Sequence, residues 1–282
     1  MPEPSKAVLV TGSSSGIGRA TAEHLLGRGW TVYATARRAE AIADLRERGA
    51  RTLALDVNDE DSMAAAVTAV EEAEGAVGVL VNNAGFSQNG AIESVPMDRV
   101  RAQFETNVFG LARMCQLALP GMRRQGWGRI VNVSSMGGRF TFPGGGYYHA
   151  TKHAVEAISD ALRFEVRGFG VDVVLVEPGL IRTRFGETAA AGVDDDDGPY
   201  AAFNRHVAEA HVSAYQKGVI ARLGGPPETV ARTIEKALVA DRPRARYRVT
   251  ASASALIAQR RLMPDVAWDA VLRSQFPRPG AS

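Results

Sequence analysis

Up to Pro178 the apolar positions alternate between two patterns. Short, nearly continuous apolar runs occupy residues 7–11, 31–35, 52–55, 77–81, 128–133 and 171–176. Runs without polar alternation are what strands show when both faces of their sheet are covered. Between them, apolar residues recur every three or four positions over 18–28, 39–48, 59–74, 98–124 and 147–167. That spacing predicts amphipathic helices. Strands alternating with such helices predict an α/β fold with a doubly wound, mostly parallel sheet. Ligands of such sheets bind outside the carboxyl ends of the strands. Thr11, Arg37, Asp56, Asn82, Ser135 and Pro178 each fall at or just after a predicted strand and so converge on one sheet edge.

Beyond Thr183 the pattern changes. Residues 186–200 are rich in alanine and glycine and carry Asp194-Asp195-Asp196-Asp197. Contiguous aspartates lack the alternating ligand spacing of a calcium loop, and a solvated, mobile segment is expected. Residues 203–220 read as a helix containing His206 and His211, which are five apart and do not share a helix face, so no metal site is predicted. A helix over 226–240, a last strand over 246–250 and an amphipathic tail over 251–263 and 265–276 complete the chain. The arginines at 242, 244, 246 and 248 read as a basic exposed edge that discourages sheet-to-sheet pairing. The whole of 1–282 is expected to form one domain, with 184–225 as a lid over the substrate and 251–282 as a helical tail.

Composition narrows the classes of function. The chain has 282 residues, 45% hydrophobic and 23% charged, which suits one large soluble α/β domain. A net charge of +2 gives no argument for a nucleic-acid partner. A single cysteine, Cys115, lies in an apolar helical stretch and reads as a core residue. The start lacks a signal-peptide pattern, and no apolar run is long enough for a transmembrane segment, so a cytoplasmic protein is expected.

Two motifs carry chemistry. The first runs from the strand at 7–11 through Gly12-Ser13-Ser14-Ser15-Gly16-Ile17-Gly18 into a helix. Backbone N–H groups at a helix start, with the helix dipole behind them, make an anion cradle. Glycine lets the backbone approach a pyrophosphate closely. The second is Tyr148 and Lys152, thirteen residues beyond Ser135. Positions i and i+4 share a helix face, and a cation there is expected to lower the tyrosine pKa. A phenol tuned in this way donates a proton to a carbonyl oxygen or takes one from an alcohol.

Taken with Asn82-Asn83-Ala84-Gly85, Asn107 and Pro178-Gly179-Leu180-Ile181-Arg182-Thr183, in this order and at these intervals, the chain resembles the classical short-chain dehydrogenase/reductase family over roughly residues 6–185. The resemblance implies a Rossmann fold and a nicotinamide cofactor. It implies Tyr148 as general acid for reduction and base for oxidation. Tyr147 is the competing phenol, but the residue four positions on from it is Thr151, which supplies no cation. Ser135 is expected to orient the substrate carbonyl, with Ser134 one residue out of register. Lys152 is expected to hold the nicotinamide ribose as well, and Asn107 the water that relays protons to Lys152. The implied cofactor contacts are Gly12, Ser14, Ser15, Gly16, Ile17 and Gly18 in the turn, Asp56 and Val57 at the adenine, Asn83, Ala84 and Gly85, then Tyr148, Lys152, Pro178, Gly179, Ile181 and Thr183.

Cofactor choice has its own physical handle. NAD sites place a carboxylate after the second strand, and NADP sites an arginine. Here the strand runs out in Ala36-Arg37-Arg38. Arg37, ahead of Arg38, is placed to clamp a 2′-phosphate. NADP(H) is therefore predicted, and Arg37→Asp should move preference towards NAD(H).

The segment after β-strand six and the long C-terminal extension are similar to the hydroxysteroid and retinol dehydrogenase-like branch, which implies a bulky lipophilic ketone or secondary alcohol. Phe140, Phe142, Phe185 and Tyr215 are candidate lining, or equally the core of a lid. Polyketide or terpenoid tailoring ketoreductases share the skeleton. A catalytically silent NADP-binding regulator on the same fold is the alternative of another class, disfavoured because Asn107, Ser135, Tyr148 and Lys152 are all present. An extended-branch epimerase or dehydratase is disfavoured by the glycine spacing. The resemblance also implies a homodimer or homotetramer formed through the helices near 98–124 and 147–167.

Overall fold

The computed structural model describes residues 3–193, 198–216 and 221–279. Asp194 to Asp197 lie outside the described residues, as do the side chain of Tyr215 and the last part of the predicted 203–220 helix. Seven strands form one parallel sheet: β1 Val8–Val10, β2 Val32–Ala36, β3 Arg51–Ala54, β4 Val79–Asn82, β5 Gly128–Val133, β6 Val171–Pro178 and β7 Arg246–Val249, in the order β3-β2-β1-β4-β5-β6-β7. The order reverses between β1 and β4, which is the switch point where a doubly wound sheet opens a crevice.

Alternation along each strand explains both covered faces. Leu9, Leu80, Ile130 and Leu175 point to one side, where they pack with Met63 and Val70 of α3 (Glu60–Glu74), Met114 and Met122 of α5 (Leu111–Gln125) and Val155 of α6 (Gly146–Val166). Val8, Val10, Val79, Val81 and Val131 point to the other side. There they meet Leu25 of α1 (Gly16–Gly27), Leu45 of α2 (Ala43–Glu47) and Ile234 of α9 (Pro227–Val239). The two layers cover β1, β2, β4, β5 and β6, and leave the strand ends and the edge strands β3 and β7 more open.

Local rules set the helix ends that matter. Asp59 caps α3, its carboxylate accepting from the Ser62 N–H at 3.0 Å, and Gly75 ends that helix at φ 84°. The predicted helix over 98–124 is not continuous. It divides into α4 (Met97–Phe104), a π-helical segment Glu105–Gly110 and α5. One wide turn in such a helix re-aims the side chains it carries, and Asn107 lies in it. After β6 come α7 (Phe185–Ala191) and α8 (Ala201–Gln216), and after β7 come α10 (Ala251–Leu262) and α11 (Asp265–Gln275). No helix of the described residues is long and apolar enough to cross a membrane.

Candidate active site

The turn between β1 and α1 is held open by its backbone. Gly12 and Gly16 have φ +72° and +57°, a region other residues rarely enter. A Cβ on Gly12 would sit 3.0 Å from the Cα of Ala84. The Thr11 hydroxyl oxygen accepts from the N–H groups of Asn83 and Ala84, each at 3.0 Å. The Asn83 amide donates to the carbonyls of Thr11 and Gly12 at 3.0 and 3.1 Å. The cap residue of α1, Ser15, makes no side-chain cap bond, and its first turn holds no acid. Its leading N–H groups therefore face the cleft without a carboxylate to satisfy them, which suits a pyrophosphate.

The cleft beyond that turn has a volume of about 920 Å³. Of the predicted cofactor contacts, Gly12, Ser14, Ser15, Gly16, Ile17, Arg37, Asp56, Val57, Asn83, Ala84, Gly85, Pro178, Gly179, Ile181 and Thr183 line it. Ser135, Tyr148 and Lys152 line it too, as does Ser134. Arg37 reaches the cleft, whereas Arg38 is not among its walls. Gly18 lies behind the cleft instead. A Cβ there would fall inside the contact surface of the Gly12 carbonyl and the Asn83 amide, so this glycine sets the approach of turn to strand.

Asn107 is also behind the wall, fully buried. Its Oδ1 accepts from the Phe86 N–H at 3.0 Å, and its Nδ2 donates to the Phe86 carbonyl at 2.8 Å and to the Thr151 hydroxyl at 3.1 Å. It thus ties the irregular segment following β4 to the helix that carries Tyr148.

On α6, Tyr148 and Lys152 stand one turn apart, with the Lys152 Nζ 5.9 Å from the centroid of the phenol ring. Nζ donates to the Val133 carbonyl at 2.9 Å. Ser135 begins a short turn, its Oγ accepting from the Gly137 N–H at 3.0 Å, and it lines the cleft together with Tyr148. Tyr147 points elsewhere: its hydroxyl donates to the Ile92 carbonyl at 3.2 Å. The expected lowering of the tyrosine pKa is not what this geometry gives. Burial pushes the Tyr148 phenol up to about 12 against the opposing Ser135 hydrogen bond. The same burial brings the Lys152 ammonium down to about 8, with Glu156 opposing. The physical reason is that withdrawal from water, complete for the buried Lys152 and partial for the half-buried Tyr148 at the cleft wall, disfavours both charged forms.

The aromatic expectations divide. The Phe185 ring lies 5.6 Å from that of Tyr148 and lines the cleft. Phe140 and Phe142 do not; they pack at 5.9 and 5.8 Å against Trp268 of α11, in an apolar cluster that also holds Ile257. The basic edge is corrected as well. Arg246 and Arg248 of β7 turn to the buried carboxylates of Glu156 and Glu177 rather than simply to solvent. His206 and His211 bond the carbonyls of Gln275 and Val207.

Three further features went unread in the sequence. Asn132 accepts from the Asn82 amide at 2.9 Å and donates to Ser159 at 2.8 Å, a buried ladder linking β4, β5 and α6. The Asn82 amide also meets Cys115, whose thiol is pushed up to about 12 by burial. Gln88 and Asn89 donate to the carbonyls of Gly192 and Ala189 at the end of α7, at 2.5 and 3.2 Å. The polar run Ser87-Gln88-Asn89 is the one sequence cue to that tie.

The short chain dehydrogenase family profile matches residues 6–194. The chain belongs to the short-chain dehydrogenase family. The family comprises oxidoreductases that use nicotinamide cofactors. Among its similar members, the uncharacterized oxidoreductase YusZ of Bacillus subtilis is 36% identical, with 96% of this chain and 98% of that protein covered. The NADPH-dependent 3-dehydrocapnine reductase of Ornithobacterium rhinotracheale is 38% identical over 93% of this chain and 94% of its own. Among solved structures, a short-chain dehydrogenase from Streptomyces avermitilis superposes with a TM-score of 0.79 at 35% identity, covering 96% of this chain and 98% of that one. A serine dehydrogenase in its closed form with NADP+ gives 0.74 at 27% identity, covering 86% and 94%. A family member from Burkholderia phymatum in complex with NAD gives 0.78 at 26% identity, covering 99% and 98%.

Proposed function

We propose that this short-chain dehydrogenase is an NADP(H)-dependent oxidoreductase that interconverts a ketone and a secondary alcohol on a bulky lipophilic substrate. The observation that carries the reading is the common cleft: the glycine turn, Arg37, Ser135, Tyr148 and Lys152 all line one space. The turn would take the pyrophosphate. Arg37, which pairs with no carboxylate among the described residues, would take the 2′-phosphate. Ala36, not an acid, ends β2 beside it. The NADPH in the name of the Ornithobacterium relative and the NADP+ of the serine dehydrogenase complex support this choice, and the NAD of the Burkholderia complex does not.

A nicotinamide held by the glycine turn, Tyr148 and Lys152 would supply hydride chemistry at the carbonyl carbon. The chain's own residues handle the proton. A phenol held at about 12 is fully protonated at neutral pH, which is the state an acid needs before reduction. As negative charge grows on the substrate oxygen, Ser135 and Tyr148 would donate to it. The phenolate left behind would be stabilised by the Ser135 hydrogen bond and the ammonium of Lys152. Oxidation runs the same transfer backwards.

Phe185 beside Tyr148 supplies an apolar wall, and residues 184–225 would serve as the lid within a single domain that ends in the helical tail. Phe109, Phe164 and Phe169, 56%, 87% and 49% exposed along the helices flanking the sheet, support pairing of subunits there. The test is oxidation of NADPH and NADH with a panel of lipophilic ketones. NADPH should be preferred, and Tyr148→Phe should lower kcat by roughly 100- to 10,000-fold while NADPH still binds. Retention of most activity in that variant would remove Tyr148 from the chemistry.

A further inference from the structure

Lys152 poses an electrostatic problem that the cleft residues do not solve. Its side chain is 7% exposed, and its hydrogen bond goes to a neutral carbonyl, that of Val133. Among the described residues it makes no ion pair within contact distance of a carboxylate. A buried ammonium without a countercharge is costly. The nearest carboxylate along α6 is Glu156, four residues on and therefore on the same face. Gly138 packs on this turn of α6, where a Cβ would lie 3.0 Å from the Glu156 Cγ and from the backbone carbonyl oxygen of Lys152, so only a glycine lets the segment after β5 lie this close to the Glu156 side chain.

Glu156 is itself held from elsewhere in the fold. Its Oε2 accepts from Arg246 Nε of β7 at 2.9 Å and from Arg139 Nη1, in the turn after β5, at 3.4 Å. Its Oε1 has no hydrogen-bond partner. Behind it stands Glu177 of β6, with no exposure at all, 3.3 Å from Arg246 Nε and 3.5 Å from Arg248 Nε. Asp160, one more turn along α6, binds the other end of Arg246 at 2.6 Å. A cluster serving only to fasten β7 to α6 would not need a second buried carboxylate pressed against the first. Glu177 raises the negative potential around Glu156 and is two residues before Gly179, in the cleft wall.

We propose that Glu156, clamped by Arg246 and Arg139 and backed by Glu177, is a positioning residue that supplies the countercharge of Lys152 and so sets the proton chemistry of Tyr148. The inference rests on the proposed role of Tyr148 and Lys152. Ser134, Ser135 and Tyr148 line the cleft with Lys152, and Glu156 stands one turn on along its helix; the charged groups on Glu156 and its neighbour Glu177 are Arg139 after β5 and Arg246 and Arg248 on β7, with Asp160 on Arg246. Of these, Glu156 is the one whose charge opposes the downward push of burial on the ammonium.

Two readouts test it on the full chain. The first needs no turnover. The rate of reductive methylation of Lys152 is followed against pH by peptide mass spectrometry, with Lys6 and Lys236 as internal controls. In the unaltered protein Lys152 should titrate near 8. Glu156→Gln should move that titration down by about one pH unit or more, since an opposite charge is removed. The second is the pH profile of kcat for reduction, whose alkaline limb should move to lower pH by the same amount, with Glu156→Asp restoring part of it. An unmoved Lys152 titration in folded Glu156→Gln would overturn the proposal. Should that variant fail to fold, Arg139→Gln serves: freeing Glu156 from one clamp should move the titration upwards, and no movement would count against the idea. Loss of the Tyr148 role would show separately, as activity retained by Tyr148→Phe.

Discussion

The two walls of the cleft are built by different means. On the nucleotide side, the turn after β1 is tied many times over at two adjacent strand ends: the Thr11 N–H donates to the Val81 carbonyl at 3.0 Å, the Thr11 hydroxyl and the Asn83 amide each bond two backbone groups across the gap, and Gly12 and Gly18 pack against Asn83 and Ala84. On the side of α7, contact depends on amide side chains that span about a hundred residues. Gln88 and Asn89 cap the end of α7, and the Asn204 Oδ1 accepts from the Ala91 N–H at 2.9 Å. Joints that converge on adjacent strand ends have few ways to rearrange, because several must break together or the strands must move. The scattered joints at α7 can be broken singly, each at the cost of one or two hydrogen bonds. A rigid nucleotide wall and a separable opposite wall are what an enzyme needs if it keeps one cofactor and admits bulky substrates past a lid.

The sharpest way to break this contrast is at Gly18. In Gly18→Ala the added Cβ meets a carbonyl oxygen and an amide that cannot both retreat. Overpacking of this kind costs about 1–3 kcal/mol of stability. The displaced Gly12 carbonyl should also cost NADPH affinity on the order of 100-fold, because the cradle is the backbone itself. Amide exchange in α7 should stay as it was. Isothermal titration with NADPH and a urea unfolding curve measure the two effects. Unchanged nucleotide binding would show that the joint is softer than its geometry.

His149 sits where the two walls meet, and it gives the next largest effect. It is 8% exposed, bonds the Gly137 carbonyl at 2.9 Å, and touches the rings of both Tyr148 and Phe142. Burial brings its imidazole down to about 4, helped by the neighbouring His153 and His211. The unfolded chain takes up this proton as pH falls through about 6.5. The folded chain does so only near 4. Stability from this group is therefore complete above pH 6.5 and drains away as pH falls towards 4, by at most about 3 kcal/mol. Asparagine places an amide nitrogen near Nδ1 without a titrating ring. The difference in unfolding free energy between His149→Asn and the parent should vary with pH over that window. Parallel curves would mean that His149 is not held neutral.

The same contrast explains what could be read in advance. The strand ends and the glycine turn were legible because each is a local pattern: a run of valines, a glycine where φ must be positive, a carboxylate at a helix cap. β5 appears at its predicted bounds, and Asp59 caps the helix expected there. Tyr148 and Lys152 were legible because i and i+4 is also local. What escaped depends on partners far along the chain. Phe142 looks like any apolar lining residue until Trp268 stacks on it. Arg246 looks like an edge charge until Glu156 and Glu177, 90 and 69 positions away, turn out to lie beneath it. The break at Glu105–Gly110 had no proline to announce it; it coincides with the close packing of Gly110 against the Val57 carbonyl and with the Asn107 bond to Phe86. The tyrosine pKa was misjudged for a similar reason, since burial is a property of the assembled cleft and not of the pair.

The smallest effect belongs to the separable wall, and it isolates one of its joints. Asn89 accepts from the Ser87 hydroxyl at 2.9 Å and donates to the Ala189 carbonyl at 3.2 Å, in the last turn of α7 where helix carbonyls lack partners of their own. Asn89→Ala removes that donor while Gln88 keeps its bond to Gly192. One net hydrogen bond contributes about 1 kcal/mol, so local opening of α7 should become roughly fivefold more frequent. Hydrogen exchange of residues 185–192, read by mass spectrometry, should rise by that factor, with NADPH affinity untouched because the Thr11 and Asn83 bonds are intact. Should nucleotide affinity fall together with the exchange protection, the two walls would be one cooperative unit, and the division between a fixed edge and a separable one would be wrong.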